Sequence, residues 1–534
     1  MMSLDQSAAR LARRLSPVQW TAALSCLIAG YLIHLYAFTN LIPNADGLSR
    51  VFDPQQMTVS GRWFLHYASS LNLFTQMPAL IGLVSLVLLS LAAALTVGLL
   101  GLNSRVLAGL TGVFMAAIPS LGYVYLYLFT ASAYCLAILL AVLSVWLARR
   151  GSWWIVLGAL ALALSMGTYQ AYASVAVTLS VLVVLAACLD EKATLAGTWR
   201  LGLSLAGCLI LGAGLYYGIL QIFLAVKDLE LLDYLGMSQA GGAFPLTQLP
   251  RLVLSAYKQV IAYFLVPGSS NPYTNLVMVG LNGLLALAAL VCLAARFGKG
   301  SPLRQTWRMA GGLVMLALLP LAMAFAQVIS PYSDATPIMK YAFVLGYAAL
   351  FLFIDRGFPA VKKPLAFRGA CLCLGVGALG LILYQANINN LLYTASNQAH
   401  QATLSYATRL LSRIESCPGY TGEEEVVVIG AVPVDQIYAQ VDSYALVDHY
   451  SLPRNTLISL NKHIYYYFNN WLNVPLAEPE EEVMIAVADS QAFADMPLYP
   501  ADGSVAMVDG RVVVKLQEEY TPKSDYELAY ENRR

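Results

Sequence analysis

Charged side chains are scarce in this sequence. Only 11% of its 534 residues are Asp, Glu, Lys or Arg, whereas 59% are hydrophobic, and the mean hydropathy is +0.64. A water-soluble domain needs more polar surface than this composition supplies, so a soluble globular protein is excluded. The net charge of +1 shows no excess of either sign, and we therefore expect no nucleic-acid partner.

Cysteine pairs and metal-ligand patterns are also missing. Of the eight cysteines, only Cys417 falls in the polar C-terminal tail, so a disulfide within that tail is excluded. Cys371 and Cys373 lack a second pair at metal-ligand spacing, which makes membrane packing the simpler interpretation. The tail contains no phosphate loop and no nucleophile elbow. We expect neither a metal nor another cofactor.

Long hydrophobic runs dominate what is present. A helix needs about 20 apolar residues to cross a bilayer, and only helices and closed barrels satisfy their own backbone there. Because the runs are continuous rather than alternating, we predict an α-helical polytopic membrane protein with about eleven transmembrane helices. One boundary is ambiguous, because Pro119, Ser120 and Gly122 fit either a turn between two helices or a kink within one.

The distribution of Lys and Arg predicts the orientation. These residues are concentrated in the segments that lie inside when the amino terminus is inside, and they are sparse in the longer outer segments. Positive side chains resist translocation, so we predict a cytoplasmic amino terminus and an outer carboxyl-terminal tail. Residues 1–389 would form the transmembrane domain, with outer loops at 39–78 and 225–275.

Residues 390–534 read as a second, soluble domain, because they are polar, acidic and rich in tyrosine. An amphipathic stretch, NQAHQATLSYATRLLSRIES, predicts a helix, and VVVIG from Val426 predicts a buried strand. VAMVDGRVVVKL predicts a β-hairpin, because Asp509 and Gly510 form a favourable two-residue turn. We therefore predict a small α/β domain outside the membrane.

The outer loop at 225–275 contains a second amphipathic pattern. Helical spacing places five apolar or aromatic side chains on one face, namely Val253, Tyr257, Val260, Ile261 and Phe264. Such a helix would lie along the outer membrane surface. A re-entrant or packing helix explains the pattern equally well.

The first outer loop gathers ionisable side chains just outside the bilayer. Asp46 and Arg50 are four residues apart, so an ordinary surface ion pair is one interpretation. The other is catalytic: Asp46 acts as a general base, and Arg50 or Arg62 binds phosphate. A carboxylate can accept a proton from an attacking hydroxyl, and the guanidinium fork matches phosphate oxygens.

A very short outer turn, GTYQAYAS, joins two of the apolar runs. It carries Tyr169, Gln170 and Tyr172, which are residue types that pack against sugar rings and bond sugar hydroxyls. Aromatic residues at an interface also serve as plain membrane anchors. The turn is thus a candidate sugar-binding segment with an anchoring alternative.

The segment SPYSDATPIMKY begins a later run on the same side. It carries Asp334 and Lys340, and Lys340 is placed to neutralise a lipid phosphate. A lysine at this position can instead extend its ammonium to the membrane surface, which is the structural alternative. The segment is a second candidate for contact with a membrane lipid.

These motifs carry a family resemblance. NADGLSR, SGRWFLHY, GTYQAY, MKYAF and the terminal MPLYPADGSVAMVDGRVVVKL occur in this order over essentially the whole chain. In this they resemble the serotype-converting glucosyltransferases, the Gtr type II group. The resemblance implies a GT-C type enzyme of the bacterial inner membrane. Such an enzyme takes a sugar from undecaprenyl phosphate at the periplasmic face and adds it to a surface glycan such as the O-antigen of lipopolysaccharide.

The resemblance also bears on the catalytic acid. Family members often have two adjacent acids in the first outer loop, whereas Ala45 precedes Asp46 here. The resemblance therefore leaves Asp46 as the candidate general base and Asp53 as the second candidate. It implies a lipid-linked donor and a glycan acceptor, and no clear ligand set in the sequence implies a divalent metal.

Two other classes of function fit a polytopic chain. A transporter or flippase of a lipid-linked glycan would commonly show repeat halves with broken helices and polar groups at mid-membrane. The sequence shows no such repeat, and its charges gather at the outer face. A non-catalytic assembly partner, with the tail as a docking module, is the second alternative.

Overall fold

The computed structural model describes residues 15–44, 46–48, 52, 54–231, 249–267, 274–297, 306–329, 336–432, 447 and 457–522. The chain divides into two compact units. Unit 1 comprises Met1–Thr39 and Pro54–Asn390, and unit 2 comprises Asn40–Asp53 and Leu391–Arg534. Residues 40–53, which the sequence places in an outer loop of the transmembrane domain, thus belong to the unit that contains the carboxyl-terminal tail.

The described part of unit 1 contains helices joined by turns and loops, and no β-strand. Its α-helices are α1 Pro17–Thr39, α2 Leu65–Ser69, α3 Pro78–Leu100, α4 Arg105–Ala117, α5 Pro119–Leu126, α6 Leu128–Ala148, α7 Trp154–Thr168, α8 Ala173–Cys188, α9 Leu195–Lys227, α10 Leu249–Leu265, α11 Leu276–Arg296, α12 Thr306–Met323, α13 Phe325–Ile329, α14 Val344–Gly357 and α15 Pro364–Glu415, the last of which continues into unit 2. Short 3₁₀ segments are Thr58–Ser60, Ser70–Asn72, Gln170–Tyr172, Pro337–Phe343 and Phe358–Ala360.

The predicted apolar runs all correspond to helices. Within the described ranges, nine helices are long and apolar enough to cross a membrane. The pair α4 and α5 qualifies only when taken together, and α7 is apolar but shorter. The prediction of a polytopic helical membrane protein is confirmed. The predicted number of about eleven spans is reached only if the α4–α5 pair and the shorter α7 are each counted as a span.

The ambiguous segment around Pro119 is a break between helices. α4 ends at Ala117 and α5 begins at Pro119, with a bend of 40° between them. Ile118 has φ −54° and ψ 132°, an extended conformation favoured for a residue that precedes proline. A second break at Tyr127 separates α5 from α6. The segment therefore contains three helices.

The surface and the interior of unit 1 suit a lipid environment. Leu24, Ile28 and Leu32 on α1 are exposed, a placement that is unfavourable in water but natural against hydrocarbon. Inside, small residues let helices approach closely, because a Cβ at Gly112 would clash with the carbonyl oxygen of Ala22. Close packing of α1 against α4 follows from that glycine.

The helix predicted between residues 225 and 275 is present as α10, Leu249–Leu265. Its Val260 and Tyr263 side chains are buried. Tyr257 donates to the Ala317 carbonyl of α12, and the Asn282 amide of α11 donates to the Phe264 carbonyl at 2.8 Å. α10 therefore packs on neighbouring helices, as the alternative interpretation expected.

α15 is a single helix of 52 residues, Pro364–Glu415. The sequence pattern predicts two separate elements here, a membrane run and a later amphipathic stretch. No proline or glycine occurs between Gly380 and Pro418, so nothing in the sequence interrupts the helix. The helix ends just before Pro418, and its residues from Leu391 onward belong to unit 2.

Unit 2 is a small α/β domain. It contains β1 Val426–Ile429, α16 Asn461–Asn470, α17 Glu481–Ala488, α18 Gln491–Ala494, β2 Val505–Val508 and β3 Arg511–Lys515. The strand order is β1-β3-β2, with β1 parallel and β2 antiparallel to β3. The predicted hairpin is confirmed: Asp509 and Gly510 both have positive φ, as the two-residue turn requires.

The sheet of unit 2 separates two apolar cores. Alternate side chains of β1 point to opposite faces: Val426 and Val428 lie in one core, and Val427 and Ile429 in the other. The first core also takes side chains from the end of α15 and from α16, and it includes Leu48 from the segment at 40–53. Residues 40–53 are thus tied to unit 2 by a buried leucine.

Candidate active site

The structure distributes the predicted site residues between the two units. Arg62, Tyr169, Gln170, Tyr172 and Lys340 belong to unit 1, and Asp46 belongs to unit 2. The remaining predicted residues, Arg50, Asp53 and Asp334, lie outside the described residues.

Arg62 follows a tight turn. The backbone N–H groups of Ser60 and Arg62 both donate to the Met57 carbonyl at 3.1 Å, and Gly61 has φ 77°. That left-handed conformation favours glycine, because a Cβ would make it strained. The backbone conformation of the turn therefore explains the glycine of the GRW motif. This glycine also sets the direction in which the chain continues into Arg62.

The two motifs GRWF and GTYQAY pack against each other. The Phe64 N–H donates to the Gly167 carbonyl at 2.7 Å. A Cβ at Gly167 would lie 2.6 Å from the Trp63 ring, so only glycine allows this approach. Segments about a hundred residues apart in the chain are thereby joined at the end of α7.

A hydrogen-bonded latch holds the Arg62 turn in place. The Gln170 amide donates to the Ser60 carbonyl at 2.9 Å and to the Tyr216 hydroxyl at 3.1 Å. Tyr216 in turn donates to the Gly61 carbonyl at 3.1 Å. Gln170 and Tyr216 therefore fix both residues that precede Arg62.

The Arg62 side chain meets an aromatic cluster. Its Cζ lies 4.8 Å from the centroid of the Tyr169 ring, a cation–π contact. Tyr169 stacks on Tyr134 at 4.8 Å, and Tyr172 meets both rings edge-on. Tyr172 also contacts Tyr341 at 6.3 Å. The cluster gives the guanidinium a rigid support.

The burial of these tyrosines bears on their role. Tyr169 is 4% exposed and Tyr172 is 0% exposed. The Tyr172 hydroxyl is buried without a hydrogen-bond partner. In this conformation both rings belong to the packed interior of unit 1, and Tyr172 supports Tyr169 rather than facing a surface.

Lys340 is a buried cation. It lies in the 3₁₀ segment Pro337–Phe343 and is 6% exposed. Its side chain thus does not run along the surface as a snorkelling lysine does. The next residue, Tyr341, donates to the Met115 carbonyl at 3.0 Å and anchors the segment to α4.

Asp46 sits on an anchored turn of unit 2. The Gly47 N–H donates to the Asn44 carbonyl at 3.1 Å and to the Asn44 side-chain oxygen at 2.7 Å. Beyond the turn, Leu48 is buried in the core, and its carbonyl accepts from Asn470 at 2.9 Å. Asn44, Gly47 and Leu48 are thus held by hydrogen bonds or burial, and the Asp46 side chain is exposed.

Two further residues of the candidate site, Tyr134 and Tyr216, were not predicted from the sequence. Tyr134 and Tyr216 lie inside apolar runs and carry no local signal of their own. In the described ranges, no three His, Cys, Asp or Glu side chains lie together in an arrangement that could hold a metal ion.

Comparison with known proteins identifies the family. None of the curated proteins matches the chain. The crystal structure of the Archaeoglobus fulgidus oligosaccharyltransferase in complex with Zn and sulfate is similar with 13% identity and a TM-score of 0.32. The match covers 82% of this chain and 62% of that chain, and at this TM-score it supports no inference. The family model for glucosyl transferase GtrII matches residues 35–354, and the chain therefore belongs to the GtrII glucosyltransferase family.

Proposed function

We propose that the chain transfers a hexose, such as glucose, from an undecaprenyl-phosphate carrier to a surface glycan such as O-antigen. The family match from 35 to 354 spans both GRWF and GTYQAY. The observation that carries the proposal is the contact between these motifs, which places the Arg62 guanidinium over the Tyr169 ring. A supported guanidinium at a membrane domain suits a lipid-linked phosphate.

The donor phosphate is assigned to the cations of unit 1. Arg62 offers a planar donor fork that matches phosphate oxygens, and the Gln170–Tyr216 latch orients the turn that carries it. Lys340 is the second candidate, because a buried ammonium stabilises a phosphate strongly in a low-dielectric environment. Tyr169 and Gln170 are proposed to contact the donor sugar, with Tyr172 as the support of Tyr169. Arg50 and Asp334 are proposed from the sequence alone.

The proposed reaction is direct displacement. An acceptor hydroxyl attacks the anomeric carbon, and Asp46 takes the hydroxyl proton as general base. The bond between that carbon and the phosphate oxygen breaks, and the phosphate leaves with the electron pair. Cationic groups stabilise the developing charge, and phosphate needs no proton to leave. Direct attack inverts the anomeric configuration.

The location follows from the charge bias. Lys and Arg favour a cytoplasmic amino terminus, so the tail and the outer loops would face the periplasm of a bacterial inner membrane. A lipid carrier delivers activated sugar to that compartment without a nucleotide. A soluble nucleotide-sugar fold is not required for such a donor.

The donor class is tested with the purified chain in liposomes. Labelled glucose is supplied either on undecaprenyl phosphate or as a nucleotide diphosphate sugar, with lipopolysaccharide from the host bacterium as acceptor. We expect label in the polysaccharide from the lipid donor alone. Comparable transfer from the nucleotide sugar would contradict the proposal, and movement of labelled lipid between leaflets without transfer would indicate a flippase.

A further inference from the structure

Unit 2 contains an aromatic box formed by His400, Tyr467 and Trp471. His400 lies on α15, Tyr467 on α16, and Trp471 directly after α16. The His400 ring meets Trp471 at 5.3 Å and Tyr467 at 6.1 Å, edge-on in both cases. The Tyr467 and Trp471 rings are nearly parallel, with 13° between them and centroids 6.5 Å apart.

The box holds polar atoms that the protein leaves unused. Among the residues of unit 2 that the structure describes, the Tyr467 hydroxyl and the Trp471 indole N–H find no hydrogen-bond partner, and both are buried. Ser396, one helical turn before His400 on α15, has a hydroxyl in the same state. Native proteins pair nearly all buried polar groups, so such atoms on neighbouring side chains indicate a missing water or ligand. Burial raises the pKa of Tyr467 above the ordinary tyrosine value, and its hydroxyl is protonated at neutral pH in either case.

The chemistry of the box suits a carbohydrate. Aromatic faces pack against the C–H faces of a sugar ring, and hydroxyl and N–H groups bond its oxygens. The box has a closed and an open side, since Tyr467 is 0% exposed whereas His400 and Trp471 are half-buried. A sugar would have to pass His400 and Trp471 to reach the buried Tyr467 hydroxyl.

The aromatic box and the segment that carries Asp46 are connected through the end of α16. Asn470, the neighbour of Trp471, donates to the Leu48 carbonyl at 2.9 Å. Leu48 follows Asp46 by two residues, on the turn closed by Asn44 and Gly47. The end of α16 therefore carries Trp471 and also anchors the segment that presents Asp46.

We propose that the aromatic box is a binding subsite for one sugar residue of the acceptor glycan. The inference rests on the proposed function for the identity of the ligand as an acceptor. Glycan binding itself needs neither donor nor chemistry, so it can be measured separately.

The test variant is Tyr467→Phe, which removes only the unpartnered hydroxyl. The full-length protein in nanodiscs is titrated with polysaccharide released by mild acid from the lipopolysaccharide of the host bacterium, without donor. We expect the Kd to rise about tenfold, because a bound sugar hydroxyl loses its partner. The Tm should stay the same or rise, since the folded protein loses no hydrogen bond.

Tyr465→Phe is the matched control. Tyr465 lies on the same helix, but its hydroxyl accepts from the Val428 N–H at 2.9 Å and donates to the Val426 carbonyl at 3.3 Å. This variant should lower the Tm and leave the glycan Kd unchanged. Trp471→Phe is a second probe, which keeps a ring but removes the N–H, and it should raise the Kd.

The outcomes separate this inference from the proposed function. An unchanged Kd in Tyr467→Phe and Trp471→Phe means that the box holds water only, and an unmodified protein that binds no polysaccharide overturns the inference as well. In either case, sugar transfer by the unmodified protein would leave the proposed function standing. Polysaccharide binding that these variants weaken, in a protein that transfers no sugar, would support the subsite and reject the transferase.

Discussion

Asp46 is exposed, and Asn44, Gly47 and Leu48 near it in the chain are anchored by hydrogen bonds. Asp46→Asn keeps the size of the side chain and removes its basicity. We expect the transfer rate to fall by about 10²- to 10⁴-fold, the usual contribution of a general base. Donor binding should not change. Initial rates of label transfer and donor Kd values measure the two effects.

Asp489→Asn is the control for Asp46→Asn, because Asp489 is another exposed acid of unit 2. It should transfer at the normal rate. If Asp46→Asn also transfers at a near-normal rate, Asp46 has no catalytic role. Asp53 would then be the next residue to replace.

Gln170 and Tyr216 are expected to act together on the Arg62 turn. Gln170→Met leaves the Ser60 carbonyl without its donor, and Tyr216→Phe does the same to Gly61. Each change should raise the donor KM about tenfold with little effect on kcat, since about 1–2 kcal/mol of positioning is lost. The double variant should show little further loss, because both side chains hold one turn.

Steady-state kinetics of the two single variants and the double variant measure this coupling. Strictly additive effects would contradict the latch. They would indicate instead that Gln170 and Tyr216 act on donor binding independently of each other.

The residue types of the candidate site could be predicted, but their partners could not. The guanidinium of Arg62 and the aromatic turn at Tyr169 stand out from apolar surroundings. Tyr216 does not, because it lies within a long apolar run and has Tyr217 as its neighbour, so nothing in the sequence singles it out. Its bond to Gly61 joins positions 155 residues apart, and no local pattern encodes such a pairing.

The short turn after α7 depends on Gly167. Gly167→Ala would place a Cβ 2.6 Å from the Trp63 ring and push GRWF away from GTYQAY. We expect a destabilisation of about 1–3 kcal/mol from overpacking and a loss of transfer. Thermal unfolding and the transfer assay measure both.

Gly202→Ala is the matched control for Gly167→Ala. Gly202 lies within α9, and a Cβ there meets nothing within 4 Å. Alanine should therefore be neutral or slightly stabilising in that helix. Normal transfer by Gly167→Ala would show that the contact between the two motifs is dispensable.

Secondary-structure elements could be predicted from the sequence where a single local pattern determines them. Continuous apolar runs became helices, and Asp509–Gly510 became the hairpin turn. The full length of α15 could not be predicted. The composition changes after Tyr384, which suggests a boundary, but no proline or glycine interrupts the helix between Gly380 and Pro418. Composition marks a change of surroundings, and it does not by itself end a helix.

The whole molecule divides as its composition suggests, with one exception. The apolar part and the polar tail form separate units, but residues 40–53 join the tail. Leu48 is buried there, and its bond from Asn470 spans 422 residues of sequence. The location of Asp46 on unit 2 therefore depends on a long-range contact that hydropathy could not reveal.

The most direct test of the account follows the label in a single incubation. The purified chain is reconstituted with undecaprenyl-phosphate-linked labelled glucose and intact lipopolysaccharide, and the lipid and polysaccharide fractions are separated over time. The account predicts that label leaves the lipid and appears in the polysaccharide, with one undecaprenyl phosphate released for each sugar transferred. Label that stays on the lipid in the presence of folded protein and acceptor would contradict it.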